Sequence, residues 1–503
     1  MRAGAASLPL DPPYGLPMLG FVRQIHLARG TGWPLETGAV VIEQGASRVV
    51  LCGVDCIGLQ APAADEVIDR IAEACECDPA GVLLSWNHTH LAPPGDERMA
   101  LIAGNDAANP QIAETARAIQ DRMVEVCRLA RAALEPAEPV WAVGEVDESV
   151  NRRERTTDRG TILGWNPELQ LDSQVTALQL RRPDESAVAT LVSFGCHPVT
   201  TGWDMDIYSA DYPGPLRDLV RSVTGGECVF LQGAAGNVLP RVAFTDDERE
   251  AERLGRRLAV EALHALADRH AVPRHVVRNP SGSVTPISLY RIERDAAPEP
   301  ALAAVRERVS FPLLPLRAPE ELATMRADAE ARIAEAEARG DRSAAKVANY
   351  TASWVRRTQE RIDAGTAAPE VDAPIHAIRI GDGVIVTGPG EILTEIGLAV
   401  KQRAPGSPTL YCGYANGLVT YFATAAEYPY GGYEPGYGNR SFDLWSQVTP
   451  ESERILVETG VRLAEQLFPG CVPWPDEAGW TALAGAPDPP LREVLAHPDA
   501  GPA

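Results

Sequence analysis

Histidines and a glutamate follow several apolar segments of this sequence, and these residue types commonly bind metal ions. The run Asn-His-Thr-His occupies 87–90 directly after an apolar segment, His197 lies between Cys196 and Pro198, and Glu391 ends the run Gly-Pro-Gly-Glu. Imidazole nitrogens and carboxylate oxygens are typical zinc ligands. A metal bound by these segments would polarise a carbonyl group or activate water for hydrolysis.

The two histidines of the first segment, His88 and His90, are two residues apart. In an extended chain their side chains lie on the same face, so both can reach one site at different depths. This favours one histidine as a direct ligand and the other as a group that works beside the metal. Taken alone, the pair is equally compatible with two structural histidines in the core, and the prolines and glycines near His197 and Glu391 also fit ordinary turns.

Alternating strands and helices must position these segments. Apolar runs such as 82–86 and 188–194 predict strands, and apolar residues recur at helical spacing after 64 and 110. We therefore predict an α/β fold with a mixed, largely parallel sheet covered by helices, in which the carboxyl ends of the strands gather the candidate ligands. No internal repeat is visible in the sequence.

The predicted organisation is one domain over 1–470 followed by a tail over 471–503 that contains prolines and is docked by Trp474 and Trp480. Within the domain, residues 318–366 are rich in Ala, Glu and Arg and are interrupted by Gly340 and Asp341. This composition predicts an inserted helical hairpin.

Composition restricts the classes of partner. The chain has 503 residues, a net charge of −23 and 45% hydrophobic residues, so it is large enough to bury a deep site and is repelled by nucleic acid and anionic membranes. No secretory signal or membrane-spanning run is visible, and the nine cysteines are typical of reduced thiols. We expect a cytoplasmic protein that acts on a small molecule, with no nucleic acid partner and no integral membrane association; a homo-oligomer is compatible with the sequence.

Several motifs in order carry a family resemblance, whereas the sequence contains no nucleophile elbow, Walker loop or dinucleotide-binding glycine motif. The chain resembles the neutral, alkaline non-lysosomal ceramidases over about 20–470, especially their shorter bacterial homologues. The matching segments are Asn-His-Thr-His-Leu-Ala-Pro-Pro-Gly at 87–95, Asn151-Arg152, His197-Pro198, Gly-Asn-Val-Leu-Pro at 236–240, Pro-Gly-Glu at 389–391, Tyr-Phe-Ala-Thr at 421–424, Glu427-Tyr428 and Tyr433-Glu434.

The resemblance implies one zinc ion per chain and assigns its ligands. These are His88, His197, Glu391 and Tyr421, a set of nitrogen and oxygen donors that leaves a position for water. A nearby dication would lower the pKa of the tyrosine enough for it to bind as a phenolate.

The resemblance also assigns residues around the ion. His90 becomes the acid/base group or oxyanion partner, and Arg152 and Tyr433 polarise the scissile carbonyl. Imidazole can move a proton and fixed donors can stabilise a developing oxyanion, so both roles are chemically reasonable.

Two departures from the family alter the expected chemistry. The family presents a serine, proposed there as a nucleophile, at the position of Leu239, which with Asn237 is expected to line the substrate pocket. The match also leaves no room for the β-sandwich domain of longer ceramidases. We therefore expect hydrolysis of an amide or ester bond of a small N-acyl-type substrate by zinc-bound hydroxide. The alternatives are a zinc-dependent lyase or isomerase and a non-catalytic metal-binding scaffold.

Overall fold

Three sheets of the same strand order form the centre of the molecule. The computed structural model describes residues 1–102, 109–272, 274–279, 289–295 and 299–471. Within these residues, three four-stranded arrangements each contain two consecutive antiparallel pairs followed by one parallel pair, and a helix connects the strands of the parallel pair.

The first sheet has the order β5-β4-β3-β1-β6, with β4 and β5 parallel. Helices α1 and α3 cover it, because their apolar faces pack on its strands. The elements of this part are β1 (Arg2–Pro9), β2 (Gly30–Thr31), β3 (Glu36–Gln44), β4 (Ser47–Val54), α1 (Ala61–Cys75), β5 (Val82–Trp86), α2 (Glu97–Ile102), α3 (Pro110–Ala132) and β6 (Glu135–Pro136).

The second sheet has the order β13-β11-β10-β7, with β11 and β13 parallel, and helices α4 and α5 cover it. A smaller sheet, β14-β8-β9, lies beside it. The elements are β7 (Glu138–Glu145), β8 (Ser149–Thr156), β9 (Gly160–Asn166), β10 (Gln174–Arg181), β11 (Ala187–Phe194), β12 (Ile207–Tyr208), α4 (Pro213–Thr224), β13 (Glu227–Gln232), β14 (Val238–Pro240) and α5 (Glu248–Ala267).

The third sheet has the order β17-β18-β19-β21, with β19 and β21 parallel, and helices α8 and α9 cover it. The elements are β15 (Arg274–Asn279), β16 (Leu289–Arg294), β17 (Leu302–Pro312), α6 (Pro319–Arg339), α7 (Arg342–Asp363), β18 (Glu370–Ile380), β19 (Gly383–Thr387), β20 (Glu391–Ile392), α8 (Thr394–Arg403), β21 (Thr409–Cys412), β22 (Tyr421–Phe422) and α9 (Glu451–Gln466).

The inner faces of the three sheets share one core. The strands are apolar on both faces, because each sheet is covered by helices outside and by the other sheets inside. The three parallel pairs meet at their carboxyl ends, where the Ser85 hydroxyl accepts a hydrogen bond from the Gln232 amide at 3.1 Å and from the Cys412 thiol at 3.5 Å. The shared core includes Val40, Leu51, Leu83, Leu178, Leu191, Leu231, Ile378, Ile385 and Leu410.

The predicted mixed α/β class is confirmed, but the largely parallel sheet is not. Each of the three central sheets is built mainly from antiparallel neighbours, and short turns join some of these, such as β3 to β4 and β18 to β19. Only the last strand of each four-stranded arrangement follows a helical crossover, which is the connection that a parallel pair requires.

Helices α6 and α7 form a hairpin in the region where the sequence predicts one. Helix α7 contacts two distant segments: the Ser343 hydroxyl donates to the carbonyl of Arg23 at 2.8 Å, and the Trp354 indole donates to the carbonyl of Leu444 at 3.0 Å. The predicted tail lies outside the described residues apart from Cys471. No helix among the described residues is long and apolar enough to cross a membrane.

Candidate active site

Three strand ends bring His88, His197 and Glu391 together. His88 follows β5, His197 follows β11, and Glu391 follows β19 after a turn of three residues. Nε2 of His88 lies 3.4 Å from Oε1 of Glu391, and Nε2 of His197 lies 3.0 Å from Oε2. All three side chains are buried, with exposed fractions of 1 to 3%.

His88 is held by backbone and side-chain contacts around its loop. Its φ of 68° lies in the left-handed region, which a bulky residue rarely adopts outside functional or turn positions. Nδ1 lies 2.6 Å from the carbonyl of Ile57. The preceding Asn87 donates to Asp55 at 2.7 Å, and Arg217 binds both oxygens of Asp55. This buried chain of contacts fixes the loop and therefore the direction of the imidazole.

His197 is oriented in the same way. Its Nδ1 lies 2.7 Å from the carbonyl of Ala235, and its amide donates to the carbonyl of Val238 at 3.1 Å. Burial and the nearby Arg152 guanidinium lower the pKa of His197 to about 4. The ring is therefore neutral at pH 7.

The tautomers of His88 and His197 follow from these contacts. A backbone carbonyl only accepts hydrogen bonds, so Nδ1 must carry the proton in each neutral ring and Nε2 must present a lone pair. Each Nε2 then faces a carboxylate oxygen of Glu391, which is also an acceptor. Two acceptors in contact repel each other unless a cation or a donor offsets the repulsion. Arg152 reaches Nε2 of His197 at 3.4 Å and Tyr414 donates to Oε2 of Glu391 at 3.2 Å, and a cation between the rings and the carboxylate would offset it further.

The same spacing fits a metal ion. Two ligands bound at about 2.1 Å in a tetrahedral arrangement lie roughly 3.4 Å apart, and the two nitrogen–oxygen distances are 3.4 and 3.0 Å. A cation held between the three side chains would keep the carboxylate of Glu391 ionised, as a metal ligand must be.

His90 differs from the two other histidines of the site. One imidazole nitrogen from each of the three rings lies within 4.8 Å of the other two, so His90 is also within reach of a shared ion. Both of its ring nitrogens are buried without a hydrogen-bond partner, and burial together with His88 and His197 lowers its pKa well below the ordinary value. No hydrogen bond from the described residues fixes the tautomer of His90.

Tyr421 lies directly beside Glu391, since the two residues are paired in the short parallel sheet of β20 and β22. Its hydroxyl accepts a hydrogen bond from Nη2 of Arg152 at 3.1 Å. Burial and the carboxylate of Glu391 raise the pKa of Tyr421 well above its usual value. A phenolate at this position therefore needs a cation beside it, and a divalent metal would supply one.

Arg152 lies inside the site rather than on the surface. Its side chain is 4% exposed, and its Nη1 lies 3.4 Å from Nε2 of His197. The Nε donates to Glu434 at 2.8 Å, and the neighbouring Arg153 donates to the other oxygen of Glu434 at 2.5 Å and to Glu427 at 2.6 Å. The two carboxylates fix both guanidinium groups, which leaves Arg152 directed at the histidine–glutamate cluster.

Tyr433 stands at the more exposed side of the site. Its ring packs edge-on against Tyr421 with centroids 5.1 Å apart, and its hydroxyl lies 2.8 Å from the hydroxyl of Ser441. Ser441 in turn lies 2.9 Å from the Tyr350 hydroxyl of α7. Among the predicted ligands and catalytic residues, only His90 and Tyr433 are half-buried.

The two predicted pocket residues occupy different surroundings. Leu239 packs in a small apolar cluster with Val150 and Val199. Asn237 is fully buried; its amide donates to Glu395 at 3.0 Å, and its side-chain oxygen accepts from the amide of Thr394 at 2.9 Å. Asn237 thus braces the start of α8, just after Glu391, and Leu239 lies among apolar side chains.

Sequence reasoning assigned no role to some residues that contact the cluster. Tyr414 donates to Oε2 of Glu391 at 3.2 Å, and its ring lies 4.5 Å from that of His88. Glu434 and Ser441 hold Arg152 and Tyr433, as described above. The sequence pointed to Tyr414 only through its position at a strand end. Glu434 and Ser441 lie in a long irregular segment, and no periodicity in the sequence predicts its path.

The fold is that of neutral ceramidase. The crystal structure of neutral ceramidase from Pseudomonas aeruginosa matches with a TM-score of 0.61 and 18% identity, and a ceramidase complexed with C2 matches with the same score and 17% identity. Each match covers 94% of this chain and 76% of the other. No family model matches the sequence, and no curated protein sequence matches it. The resemblance drawn from the motifs is thus confirmed for the fold.

Proposed function

We propose that this chain is a zinc-dependent hydrolase that cleaves the amide, or ester, bond of a small N-acyl-type substrate. The observation that carries the proposal is the contact of Nε2 of His88 and of His197 with the carboxylate of Glu391. The low pKa of His197 argues against an imidazolium as the partner of Glu391 at that contact, and the donors that also reach the pair, Arg152 and Tyr414, do so at 3.4 and 3.2 Å. A metal ion would bind both nitrogens and both oxygens at once.

The surrounding residues fit a zinc ion. His88, His197, Glu391 and Tyr421 would hold it, with the Nδ1 atoms fixed by backbone carbonyls as is usual for histidine ligands. When bound, zinc supplies Lewis acidity that polarises a carbonyl oxygen and lowers the pKa of water. The carbonyls of Ile57 and Ala235 hold the imidazoles in place before any substrate arrives.

The protein's own residues would carry the remaining steps. His90, with two unpartnered nitrogens, would take a proton from the attacking water and deliver it to the leaving nitrogen or oxygen. The guanidinium of Arg152 and the hydroxyl of Tyr433 would donate to the carbonyl oxygen as negative charge develops on it. Glu434 keeps Arg152 in one orientation, which reduces the reorganisation needed during reaction.

Direct attack by water is favoured because Leu239 has no nucleophilic atom and packs among apolar neighbours. The preference for an amide bond rests on the shared fold with ceramidases. The apolar replacement at this position also gives the substrate pocket a shape different from that of the ceramidases.

A reducing compartment fits the cysteines. All nine are free, and most are buried, as is usual for cytoplasmic proteins. We therefore propose a cytoplasmic location for a protein that meets its substrate in solution.

The direct experiment replaces His88 with Ala and measures bound zinc, thermal unfolding and turnover of N-acyl amides together. We expect zinc and turnover to be lost while the fold survives, since His88 is one ligand of several. His264→Ala, on the exposed face of α5, is the matched control and should change none of the three. Unchanged zinc content and turnover in His88→Ala would contradict the proposal.

A further inference from the structure

The hairpin of β15 and β16 carries an apolar face that is open to solvent. Among the described strands, these two pair only with each other. Val276 and Ile292 are directly opposite, and Tyr290 lies two residues before Ile292, so all three side chains lie on one face. They are 57 to 67% exposed. A two-stranded hairpin is only marginally stable in water by itself, and a segment packed on this face would stabilise it.

Two arginines lie on the same face. Arg274 and Arg294 are directly opposite each other, and like charges in this position repel. Among the described residues neither guanidinium has an ion pair, whereas on the other face His275 and Arg291 both contact the carboxylate of Glu293. The first face therefore combines apolar groups with positive charge that no carboxylate neutralises, and it fits an acidic segment with apolar side chains. We call it the hairpin face; it consists of Arg274, Val276, Tyr290, Ile292 and Arg294.

The described chain ends close to the segment that follows this hairpin. The guanidinium of Arg379 donates to the carbonyls of Gly381 and Leu467 at 2.9 and 2.7 Å. The amide of Gly381 donates to the carbonyl of Ala301 at 2.7 Å, and Ala301 follows Arg294 by seven residues. The hairpin and the predicted tail therefore both connect to the core at the turn around Gly381.

The length and composition of the tail suit the hairpin face. An extended residue spans at most about 3.6 Å, so Arg294 lies within roughly 25 Å of Ala301, and Trp480 can reach about 45 Å from Leu467. The tail offers the indoles of Trp474 and Trp480 as apolar groups. Beyond Cys471 it contains a single arginine, and its carboxylates are Asp476, Glu477, Asp488, Glu493 and Asp499.

We propose that the hairpin face binds the C-terminal segment 472–503 of the same chain. The indoles of Trp474 and Trp480 pack on the apolar side chains of the face, and carboxylates of the segment neutralise Arg274 and Arg294. This contact gives the hairpin the third packing partner that two strands alone lack. It also removes an exposed apolar patch from a surface where it would favour association with other chains.

The hairpin connects to the core at the end of the molecule opposite the candidate active site. The turn around Gly381 precedes β19, whereas Glu391 follows the carboxyl end of that strand. Arg294 donates to the carbonyl of Pro183 at 2.9 Å, in the turn before β11, whereas His197 follows the carboxyl end of β11. The inference is therefore independent of the proposed hydrolase function, and its test needs no substrate.

The test is hydrogen exchange of the backbone amides of β15 and β16, measured by mass spectrometry on the full chain. Replacing both Trp474 and Trp480 with Ala removes the proposed anchors. Exchange of these amides should then become about 10- to 100-fold faster, as expected for the loss of one or two buried aromatic rings. Trp165→Ala, which removes an indole of β9 that is 56% exposed, is the matched control and should leave exchange in the hairpin unchanged.

Arg274→Glu separates docking from an effect on the hairpin alone. In a hairpin without the tail, this substitution turns the repulsion with Arg294 into an attraction, so exchange should slow. With the acidic segment bound, it removes an attraction, so exchange should become faster. We therefore expect faster exchange in the full chain and slower exchange when Trp474 and Trp480 are also replaced.

Unchanged exchange after the loss of both tryptophans, or slower exchange in full-length Arg274→Glu, would overturn the inference. An intramolecular contact should protect the hairpin equally at protein concentrations of about 1 and 100 μM. Protection that rises with concentration together with a dimer in sedimentation would make a second copy the occupant. Protection that appears only with anionic lipid vesicles would make it a membrane surface. Either result would overturn the assignment to the tail.

Discussion

His90→Leu separates catalysis from metal binding at the candidate site. The side chain of His90 contacts the aromatic ring of Phe21 and leaves both imidazole nitrogens buried without a partner. If His90 transfers protons but does not hold the metal, its replacement removes activity while His88, His197 and Glu391 remain in place. Leucine fills similar volume and contacts Phe21 without any polar group.

The expected magnitudes follow from these contacts. Loss of a positioned acid/base group lowers kcat by about 10²–10⁴-fold, which corresponds to roughly 3–5 kcal/mol of barrier. A buried polar atom without a partner costs about 1–3 kcal/mol. The free energy of unfolding of zinc-free His90→Leu should therefore exceed that of the zinc-free unsubstituted protein by about that amount. The zinc content should stay near one ion per chain.

The assay compares kcat on an N-acyl amide, zinc by elemental analysis and urea unfolding of the metal-free protein. His376→Leu is the matched control, because His376 is a fully buried histidine of β18 whose Nδ1 contacts the carbonyl of Ala80 at 3.2 Å. It should keep both zinc and turnover. If His90→Leu loses zinc as His88→Ala does, His90 is a ligand and the division of roles is wrong; full activity would refute its part in proton transfer.

Three further predictions concern the surroundings of the site. Burial raises the pKa of Glu395 to about 7. The protonated Glu395 carboxyl therefore contributes its full stabilisation below the unfolded pKa of about 4.5, and this stabilisation is lost as the pH rises through 7. In urea melts between pH 5 and 8, the free energy of unfolding of the unsubstituted protein should fall by an amount on the order of 3 kcal/mol, and Glu395→Gln should abolish this fall. The same pH profile in both proteins would refute the assignment. Ser441→Ala frees the Tyr433 hydroxyl and should lower kcat several-fold with little change in KM, whereas Tyr350→Phe, which leaves the Ser441–Tyr433 contact intact, should have a smaller effect; equal effects would contradict this order. Chelation of zinc supplied at about 1,000 times its Kd should lower the free energy of unfolding by roughly 4 kcal/mol in calorimetry, and an unshifted melt would argue against a bound ion.

Periodicity predicted the elements that hold the site better than it predicted their arrangement. Apolar runs located β5, β11 and β19, and the helical spacing of Ile112, Met123 and Val126 located α3, whose apolar face is buried. The direction of neighbouring strands depends on how tight turns pair them, which hydrophobic runs do not encode when both faces of a sheet are buried. The threefold recurrence of one strand order was likewise invisible, because it lies in connectivity and not in repeated residues.

The site could be assembled from sequence only in part. The position of His88, His197 and Glu391 at strand ends was readable, and their convergence follows from the parallel pairs. Tyr421, Arg152 and Tyr433 depended on motif resemblance, and their roles remain predictions. The hydrogen bonds that fix them come from residues far away in the sequence, such as Glu434, which holds Arg152 from 282 positions further along the chain.

The most direct test of the central claim is hydrolysis of an N-acyl amide by the zinc-loaded protein in water labelled with ¹⁸O. If the metal cluster at His88, His197 and Glu391 activates water for attack on the carbonyl, the acid product gains one solvent oxygen in the first turnover, and the reaction stops on chelation and resumes with one equivalent of zinc. Product formed without solvent oxygen, or at the same rate after the metal is removed, would contradict the account.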